Sequence, residues 1–435
     1  MILEFSIENY RSYKDKTTIT FVADNALFNE DSVYNVTLSD EETKLRVLRF
    51  AGIFGPNASG KSNIVYAFEA LNKLINESRK YSYQDPIDAY DPFLLDKECV
   101  LKPTTFVLKF LCRRSIYKYK VSFDKRTILE EVLSKLNGKE EKQLFRATDL
   151  HRLKRRVEIN DDLSKLVKII GGAHIPLRNN HLFLSWLAVL PSNELTAIST
   201  YFSNLYTFSI HSDINLDINN IEAIAMLGIR PEKMMKCITK LMKIADIGVD
   251  SIDIKRFRKD AFRFPAGVSE DARNEFIDKN RYGIRFRHSS GTDSRTAKKF
   301  DISKESVGSK HLFNIGLKIL VALSKGAVLA MDEMNLAIHP ALFKFLVTMF
   351  KNPKANKNNA QLIFTTHDAS IAGEEFMRAD QIWFAEKKAD GTSDLFSAID
   401  FEGVSINTPF EMWYRTGRFG AVPRLSLIDE IFEDD

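Results

Sequence analysis

The chain has 435 residues, 44% of them hydrophobic, which is enough to bury a large core and favours two or three domains. Its 62 basic and 58 acidic side chains leave a formal charge of +4, too close to balance to indicate nucleic-acid binding from overall charge. No apolar run approaches the roughly 20 residues that cross a bilayer, and the N-terminus lacks the pattern of a signal peptide. We therefore expect a cytoplasmic protein with no membrane contact.

The cysteines are few and widely spaced. Cys99, Cys112 and Cys237 form no CxxC pair, so the sequence predicts neither a disulfide framework nor a zinc site. A reducing compartment fits this usage best.

The N-terminal third begins with a strand pair. Alternation at Leu3, Phe5 and Ile7 predicts a first strand, and residues 17–22 predict a second, antiparallel to it. Further along, residues 104–110 and 117–123 predict a hairpin that turns at 112–115. The sequence therefore predicts an antiparallel β subdomain.

Between these strands lies a complete phosphate-binding loop. The apolar run 47–54 predicts a strand, and a helical pattern follows Ser62. A glycine-rich turn from strand to helix aims backbone N–H groups at one point, where a polyphosphate can bind. We expect the loop to hold the phosphates, Lys61 to reach the β and γ phosphates and Ser62 to bind Mg²⁺. The predicted nucleotide contacts are Gly55, Pro56, Asn57, Ala58, Ser59, Gly60, Lys61, Ser62 and Asn63.

The middle of the chain reads differently. Leucine and isoleucine spacing over 129–245 predicts a compact helical insertion lobe. After it, 251–258 and 282–288 predict strands, separated by a charged segment, 259–281, that predicts a surface loop.

The last third returns to alternating helices and strands. Residues 309–324 and 340–350 predict helices, and 327–331, 361–366 and 381–386 predict strands. The nucleotide core is therefore predicted to be split in sequence and reassembled in space. The domains expected are 1–128, the first half of the core with the β subdomain; 129–245, the helical lobe; and 246–435, the second half.

Two strand ends in this last third carry polar side chains. Asp332 and Glu333 follow an apolar strand; we expect Asp332 to bind Mg²⁺ and Glu333 to act as general base toward the attacking water. His367 follows the next strand and could hydrogen-bond the γ-phosphate. With Lys61, Glu333 and His367 make up the predicted catalytic set.

These motifs resemble those of ATP-binding-cassette ATPases of the SMC and RecF kind, which implies an α/β fold with an ABC-type P-loop core. The resemblance assigns residues 55–62 to Walker A, Asp332-Glu333 to Walker B and His367 to the switch histidine. Ser306 and Gly308 resemble the signature motif, which implies contact with ATP held by a second subunit and hence a homodimer or higher homo-oligomer. ATP, rather than GTP, is implied only by this resemblance.

The segment Glu8-Asn9-Tyr10-Arg11-Ser12 resembles the N-terminal turn of the same SMC and RecF proteins. This resemblance implies that Arg11 lies near the nucleotide phosphates. A solvated turn arginine is the alternative. Gln84 stands at a plausible position for the glutamine loop but has no convincing flank.

Further segments resemble the stand-alone AAA-type ATPases of prokaryotic anti-phage and abortive-infection operons, of the RloA and AbiLi kind. They include Asp91-Pro92-Phe93, residues 176–185, Ile338-His339-Pro340 and residues 414–423. Some of these ATPases act with a separate nuclease, often of the Toprim type. Only about seventy residues follow His367, so we expect an effector in trans.

Nucleic-acid contact remains open. Residues 151–156 and 255–259 are the densest basic segments, and Phe257 could stack on a base. A solvated helix face is the alternative. The sequence thus favours an ATP-hydrolysing sensor and scaffold of a defence system, with a DNA-binding clamp of the RecF or SMC repair type as the alternative; nothing in it supplies a nuclease metal site.

Overall fold

The structure is a computed structural model. It describes residues 1–25, 30–39, 43–150, 154–161, 177–187, 192–208, 231–245, 248–280, 282–288 and 298–423.

Strands and helices of the described residues follow in chain order. The strands are β1 (Ile2–Glu8), β2 (Thr17–Thr20), β3 (Val33–Thr37), β4 (Lys44–Leu48), β5 (Phe50–Phe54), β6 (Thr104–Cys112), β7 (Ser115–Phe123), β8 (Ile128–Asn137), β9 (Glu140–Leu150), β10 (Lys154–Ile159), β11 (Leu205–Phe208), β12 (Val249–Arg256), β13 (Tyr282–His288), β14 (Lys298–Asp301), β15 (Val328–Met331), β16 (Gln361–Thr365), β17 (Ile382–Lys387) and β18 (Ser393–Ser397). The helices are α1 (Lys61–Glu77), α2 (Phe183–Leu187), α3 (Asn193–Ser203), α4 (Pro231–Ile244), α5 (Glu270–Asn280), α6 (Val307–Lys325), α7 (Pro340–Lys351) and α8 (Phe410–Arg415).

A central sheet carries the split core. Its strand order is β11-β15-β16-β5-β17-β18, and all neighbours are parallel except β17 and β18. Every residue of β5 is buried because the sheet is covered on both faces. Ala51 and Ile53 join the core around α1, whereas Phe50 and Phe54 join the core of α6 and α7. Segments far apart in sequence thus become neighbours, as predicted.

An antiparallel sheet covers the other side of α1. Its order is β10-β9-β8-β7-β6-β1-β2. Phe68 of α1 stacks on Phe5 of β1, with ring centroids 4.1 Å apart. The buried Gln361 amide ties the two sheets together: it accepts from the Ile2 N–H at 2.8 Å and donates to the carbonyls of Ile2 and Leu48. This helix, which begins at the phosphate loop, is therefore held between two sheets.

The predicted hairpin at 112–115 is confirmed, because β6 and β7 pair around Arg113 and Arg114, both with positive φ. The helical prediction is wrong for 129–137, 140–150 and 154–159. These residues lie in β8, β9 and β10, which extend the antiparallel sheet beyond β7. The edge of β7 with which β8 pairs decides this conformation, and it is not visible in the local spacing of the leucines.

Farther along, α2, α3 and α4 are helical as expected, whereas much of 162–230 lies outside the described residues. The surface-loop prediction for 259–281 is wrong at its end, where α5 forms. This helix is rich in charged residues and adds few apolar side chains such as Ile277 to the core. Its apolar pattern was therefore too weak to predict a helix. None of the described helices combines the length and hydropathy that a membrane span requires.

Candidate functional site

The phosphate loop runs from the end of β5 to the start of α1. Gly55 has φ of +152° and Gly60 of +107°. A Cβ on Gly55 would lie 2.4 Å from the Ala385 carbonyl oxygen, and one on Gly60 would lie 2.5 Å from Ser393 Oγ. Glycine is therefore required at both positions by backbone conformation and by the close approach of β17 and β18.

Lys61 is the first residue of α1, and its side chain folds back over the loop. Its Nζ donates to the carbonyl oxygens of Gly55 and Pro56, at 2.9 and 2.8 Å. Burial lowers the pKa of Lys61 to about 8, and the nearby carboxylates of Glu333 and Asp332 oppose that shift. The ammonium thus lies in a partly desolvated place where phosphate oxygens would favour its charge.

Asp332 directly follows β15 and is only 2% exposed. Its Oδ1 accepts a 2.6 Å hydrogen bond from Thr365 Oγ1, and it makes no ion pair within the described part of the chain. Thr365 also accepts from the Glu333 N–H at 2.8 Å. A buried carboxylate with one hydroxyl partner suits a divalent cation, which supplies the missing positive charge.

His367 completes a contiguous group. Its Nε2 lies 2.8 Å from Glu333 Oε1, and its Nδ1 lies 3.5 Å from Lys61 Nζ. The three meet because β5, β15 and β16 are parallel neighbours whose carboxyl ends share one edge of the sheet. Glu333 has a φ of +46°, an uncommon backbone conformation for a residue other than glycine. In this conformation its side chain contacts His367.

Sequence reasoning missed Thr365. A threonine at the end of a β-rich strand reads as an ordinary strand residue, and only the pairing of β15 with β16 brings its hydroxyl to Asp332. Its one available signal was its place two residues before His367.

The loop itself holds a second polar group suited to a ligand. Ser59 Oγ is buried without a hydrogen-bond partner in the described structure. Ser62 is half-buried in the first turn of α1. The donor set of hydroxyls, one buried carboxylate and one ammonium therefore fits a magnesium-bound polyphosphate.

The N-terminal turn packs against the start of α1. Asn63 Nδ2 donates to Ser12 Oγ at 2.7 Å, and Tyr13 donates to the Gly60 carbonyl at 3.2 Å. Arg11, with φ of +50°, places its guanidinium 4.3 Å from the Tyr66 ring centroid and pairs with Asp91 at 2.8 Å. Arg11 therefore lies beside α1 near the loop, held by an acidic partner.

Ser306 and Gly308 lie elsewhere. Ser306 caps α6, accepting from the Ser309 N–H at 3.0 Å. Gly308 lies against the turn after β15, where an added Cβ would be 2.8 Å from the Ala337 carbonyl oxygen. Their described contacts do not reach the phosphate loop of the same chain, an arrangement compatible with a role toward a second subunit, which stays a prediction.

Gln84 lines a separate cavity of about 230 Å³ with Arg126, Thr127, Asn179 and Asn180 among its neighbours. Asn180 fixes this region by donating to the carbonyls of Ser82 and Asp85. Since α1 has 17 residues and rises about 1.5 Å per residue, Ser82 follows an end of the helix remote from the phosphate loop. The structure does not bring Gln84 to the site.

The predicted basic segments differ in exposure: Arg155 is buried, whereas Arg156, Lys255, Arg258 and Lys259 are exposed. Arg155 lies on β10, and its side chain is fully buried against Glu131. Phe257 is half-buried against Gly283 and lies edge-on to Phe262. The solvated helix face foreseen around Arg155 is therefore wrong, and residues 151–153 lie outside the described residues.

One cleft borders the loop. It has a volume of about 720 Å³ and is lined by Gly55, Pro56, Asn57, His367, Asp368, Ala369, Tyr414, Arg415, Val422 and Pro423. Of these lining residues, the sequence predicted no site role for Asp368, Ala369, Tyr414, Arg415, Val422 and Pro423; residues 414–423 contributed only to a resemblance.

A phosphate loop on a central parallel strand, with an acidic strand end and a histidine beside its lysine, defines a P-loop fold of the ABC ATPase type. Within that class, the family described as "AAA domain, putative AbiEii toxin, Type IV TA system" matches residues 50–372, and the chain belongs to this family. No curated protein was found to match the chain.

Three solved structures are similar in fold. The SMC head domain from Thermotoga maritima shares 12% identity at a TM-score of 0.39, covering 91% of this chain and 98% of its own. An Smc head bound to the C-terminal winged-helix domain of ScpA shares 15% at 0.40, covering 91% and 97%. An Smc head with an extended coiled coil, bound to the C-terminal domain of ScpA derived from Pyrococcus furiosus, shares 14% at 0.39, covering 95% and 99%. Likeness at this level carries no argument about function.

Proposed function

We propose that the chain binds magnesium-bound ATP and hydrolyses it to ADP and phosphate. The observation that carries this proposal is the contiguous group of Lys61, Glu333 and His367 at the mouth of the phosphate loop. The loop amides and Lys61 would bind the phosphates, and Ser62 and Asp332 would hold Mg²⁺. The bound ion neutralises phosphate charge.

Glu333 would take a proton from the attacking water. The water oxygen forms a bond to the γ-phosphorus as the bond to the bridging oxygen breaks, and ADP leaves with that electron pair. His367 holds Glu333 through its Nε2 and would hydrogen-bond the γ-phosphate or the water. Thr365 orients both acids by accepting from the Glu333 N–H and donating to Asp332.

A homodimer or higher homo-oligomer is the second part of the proposal. Ser306 caps the start of α6 and Gly308 is its second residue; Val307 between them is 61% exposed. This helix start therefore offers a surface for a second subunit, and nucleotide-dependent association there would couple ATP to a change of shape.

We further propose that this change controls a separate effector in a prokaryotic anti-phage system, with a Toprim-type nuclease as the partner class. The family description refers to toxin and type IV toxin-antitoxin systems, which fits such a role. Within the described residues no cluster of His, Cys, Asp and Glu suits a nuclease metal site.

The test begins with phosphate release by the purified chain. Wild type should hydrolyse ATP, and Lys61→Ala should lose both binding and turnover. Mass measurement with and without ATP tests association, and co-purification with the neighbouring gene product tests the effector. Equal phosphate release by wild type and Lys61→Ala would end the enzymatic proposal.

A DNA clamp is distinguished by adding duplex DNA at two salt concentrations. Stimulation that falls steeply as salt rises would favour the clamp, because phosphate contacts release counterions. Because Arg155 is buried, it does not supply the DNA phosphate contact that the clamp hypothesis expected from its segment.

A further inference from the structure

The segment formed by α8 and residues 416–423 packs against β17, the strand that neighbours β5 before the phosphate loop. Tyr414 stacks on Phe384 of β17 with centroids 5.3 Å apart, and Phe419 stacks on the same ring at 4.8 Å. Phe384 pairs in register with Phe54, the residue before the loop. The Tyr414 hydroxyl donates to the Ala421 carbonyl at 3.0 Å, which closes the turn. Residue 415 is therefore held at a defined place relative to the loop.

This placement brings Arg415 to the cleft that Asn57 and His367 also line. Of the described lining residues, Arg415 is the one that carries a permanent positive charge. Asp368 supplies a negative charge there, but its Oδ1 already accepts from the Ser370 N–H and hydroxyl. The cleft thus adds a cation to the site from a part of the chain outside the recognised ATPase motifs.

The cleft lies at the end of the loop where a terminal phosphate would be. A phosphate-loop lysine reaches the β and γ phosphates, and Lys61 Nζ lies 3.5 Å from His367 Nδ1. Since His367 and the first loop residues line the cleft, the terminal phosphate of a triphosphate held by Lys61 would lie beside it.

Arg415 is available for such a contact. Its guanidinium pairs with Glu411 one helical turn earlier, at 2.9 Å, and the two side chains are 63% and 38% exposed. An exposed pair of this kind is weak and screened by solvent. Phosphate oxygens offer a guanidinium two parallel charge-assisted hydrogen bonds. The Arg415 guanidinium is therefore expected to leave Glu411 and bind a phosphate group when one is present.

Arg418 provides a contrast within the same segment. Its Cζ lies 3.3 Å from the Trp413 ring centroid, so it is stacked on an aromatic face, and it does not line the cleft. The two arginines have the same charge and are both exposed, but they face different surroundings.

We propose that Arg415 contacts the terminal phosphate of ATP bound in the same chain and stabilises the charge that develops during its transfer. This inference rests on the proposed ATPase function. The guanidinium forms and breaks no covalent bond; it donates hydrogen bonds to the γ-phosphate oxygens.

The test compares Arg415→Ala, Arg415→Lys and Arg418→Ala with wild type. Affinities for ATP and ADP are measured by calorimetry, and hydrolysis is measured in a single turnover. Arg415→Ala should weaken ATP binding about tenfold and ADP binding much less, because only ATP has the contacted phosphate. Its turnover should fall by about 100-fold or more. Arg415→Lys should fall between, and Arg418→Ala should match wild type.

Two results separate the possible failures. If wild type and Arg418→Ala bind and hydrolyse ATP and Arg415→Ala does so equally well, the inference is overturned while the proposed function stands. If wild type does not bind ATP while it is folded, both are overturned. Glu411→Ala gives an arm that keeps Arg415: it should bind ATP as tightly as wild type or more tightly, and weaker binding of ATP relative to ADP would contradict the inference. Melting temperatures confirm that each variant is folded.

Discussion

Glu333 and His367 are in contact across two neighbouring strand ends, with Oε1 of the carboxylate 2.8 Å from Nε2 of the ring. The other ring nitrogen lies 3.5 Å from Lys61 Nζ. The imidazole therefore stands between the proposed base and the proposed phosphate-binding lysine. A change at Glu333 should affect the chemical step while the lysine and the loop still bind nucleotide.

Replacing Glu333 by Gln should reduce turnover by about 100-fold or more, since general-base assistance contributes 10² to 10⁴. Gln keeps the size and hydrogen-bonding capacity of the side chain but cannot accept the proton from water. ATP affinity should stay within a few-fold of wild type. Single-turnover hydrolysis and equilibrium binding measure the two effects.

Glu141→Gln is the matched control, because Glu141 lies on β9 and pairs with Lys118 far from the loop. It should turn over at the wild-type rate. Wild-type turnover by Glu333→Gln would rule out Glu333 as the base.

Lys61 predicts a proton linkage. Its pKa is lowered to about 8 by burial, against 10.5 for the free side chain. Between these values the unfolded chain binds more protons than the folded chain, so this group's unfavourable effect on folding fades as pH rises through that window. Phosphate binding should restore the charge. At pH 8.5 we therefore expect ATP binding to take up roughly half a proton or more.

Calorimetry in two buffers of different ionisation enthalpy measures this uptake. The same experiment at pH 7 is the control, because Lys61 is already mostly protonated there and uptake should be small. Zero uptake at pH 8.5 would show that the bound phosphates do not charge Lys61.

The local motifs were predictable, and their partners were not. The phosphate loop, Asp332-Glu333 and His367 each follow a short apolar run, and parallel strands necessarily bring such ends together. Strand pairing brings Thr365 to Asp332, and the packing of Tyr414 on Phe384 positions Arg415. Neither arrangement can be predicted from a local sequence pattern.

The mistaken helical lobe has the same physical origin. Within the predicted lobe, β8, β9 and β10 are strands because β7 offers an edge to pair with, and tertiary pairing overrides local spacing. Arg155 read as part of a solvated basic run because its partner, Glu131, lies on another strand. Both errors concern contacts between segments distant along the chain.

Asp91 should position Arg11. The pair is 2.8 Å apart, with side chains 35% and 43% exposed, so its loss should cost less than about 1 kcal/mol of stability. If Arg11 acts on the phosphates, Asp91→Ala should weaken ATP binding in the same direction as Arg11→Ala. The double variant should be no worse than Arg11→Ala alone, because the two residues act as one unit.

Equilibrium ATP binding by the four proteins completes the cycle. Asp96→Ala is the control: Asp96 pairs with Lys14 of the same N-terminal region at 2.8 Å with similar exposure. Additive effects of Arg11→Ala and Asp91→Ala would show that Asp91 does not act through Arg11.

The buried pair of Glu131 and Arg155 should matter for stability rather than for catalysis. Both side chains are fully buried, and Glu131 also accepts from the N–H groups of Phe183 and Leu184 at 2.7 and 2.9 Å. Arg155→Met would leave this carboxylate without its counter-charge, at a cost of about 3–5 kcal/mol. Burial already raises the pKa of Glu131, and loss of the arginine should raise it further.

The Arg155→Met penalty should therefore shrink at acidic pH, where the uncompensated carboxylate becomes neutral in the folded chain. Urea unfolding at pH 5 and pH 8 measures the difference. Lys118→Met removes the cation of an exposed pair with Glu141 on the same sheet, and it should cost less than about 1 kcal/mol at both pH values. Equal, pH-independent losses in the two variants would mean that the Arg155 charge is not what keeps Glu131 ionised inside the sheet.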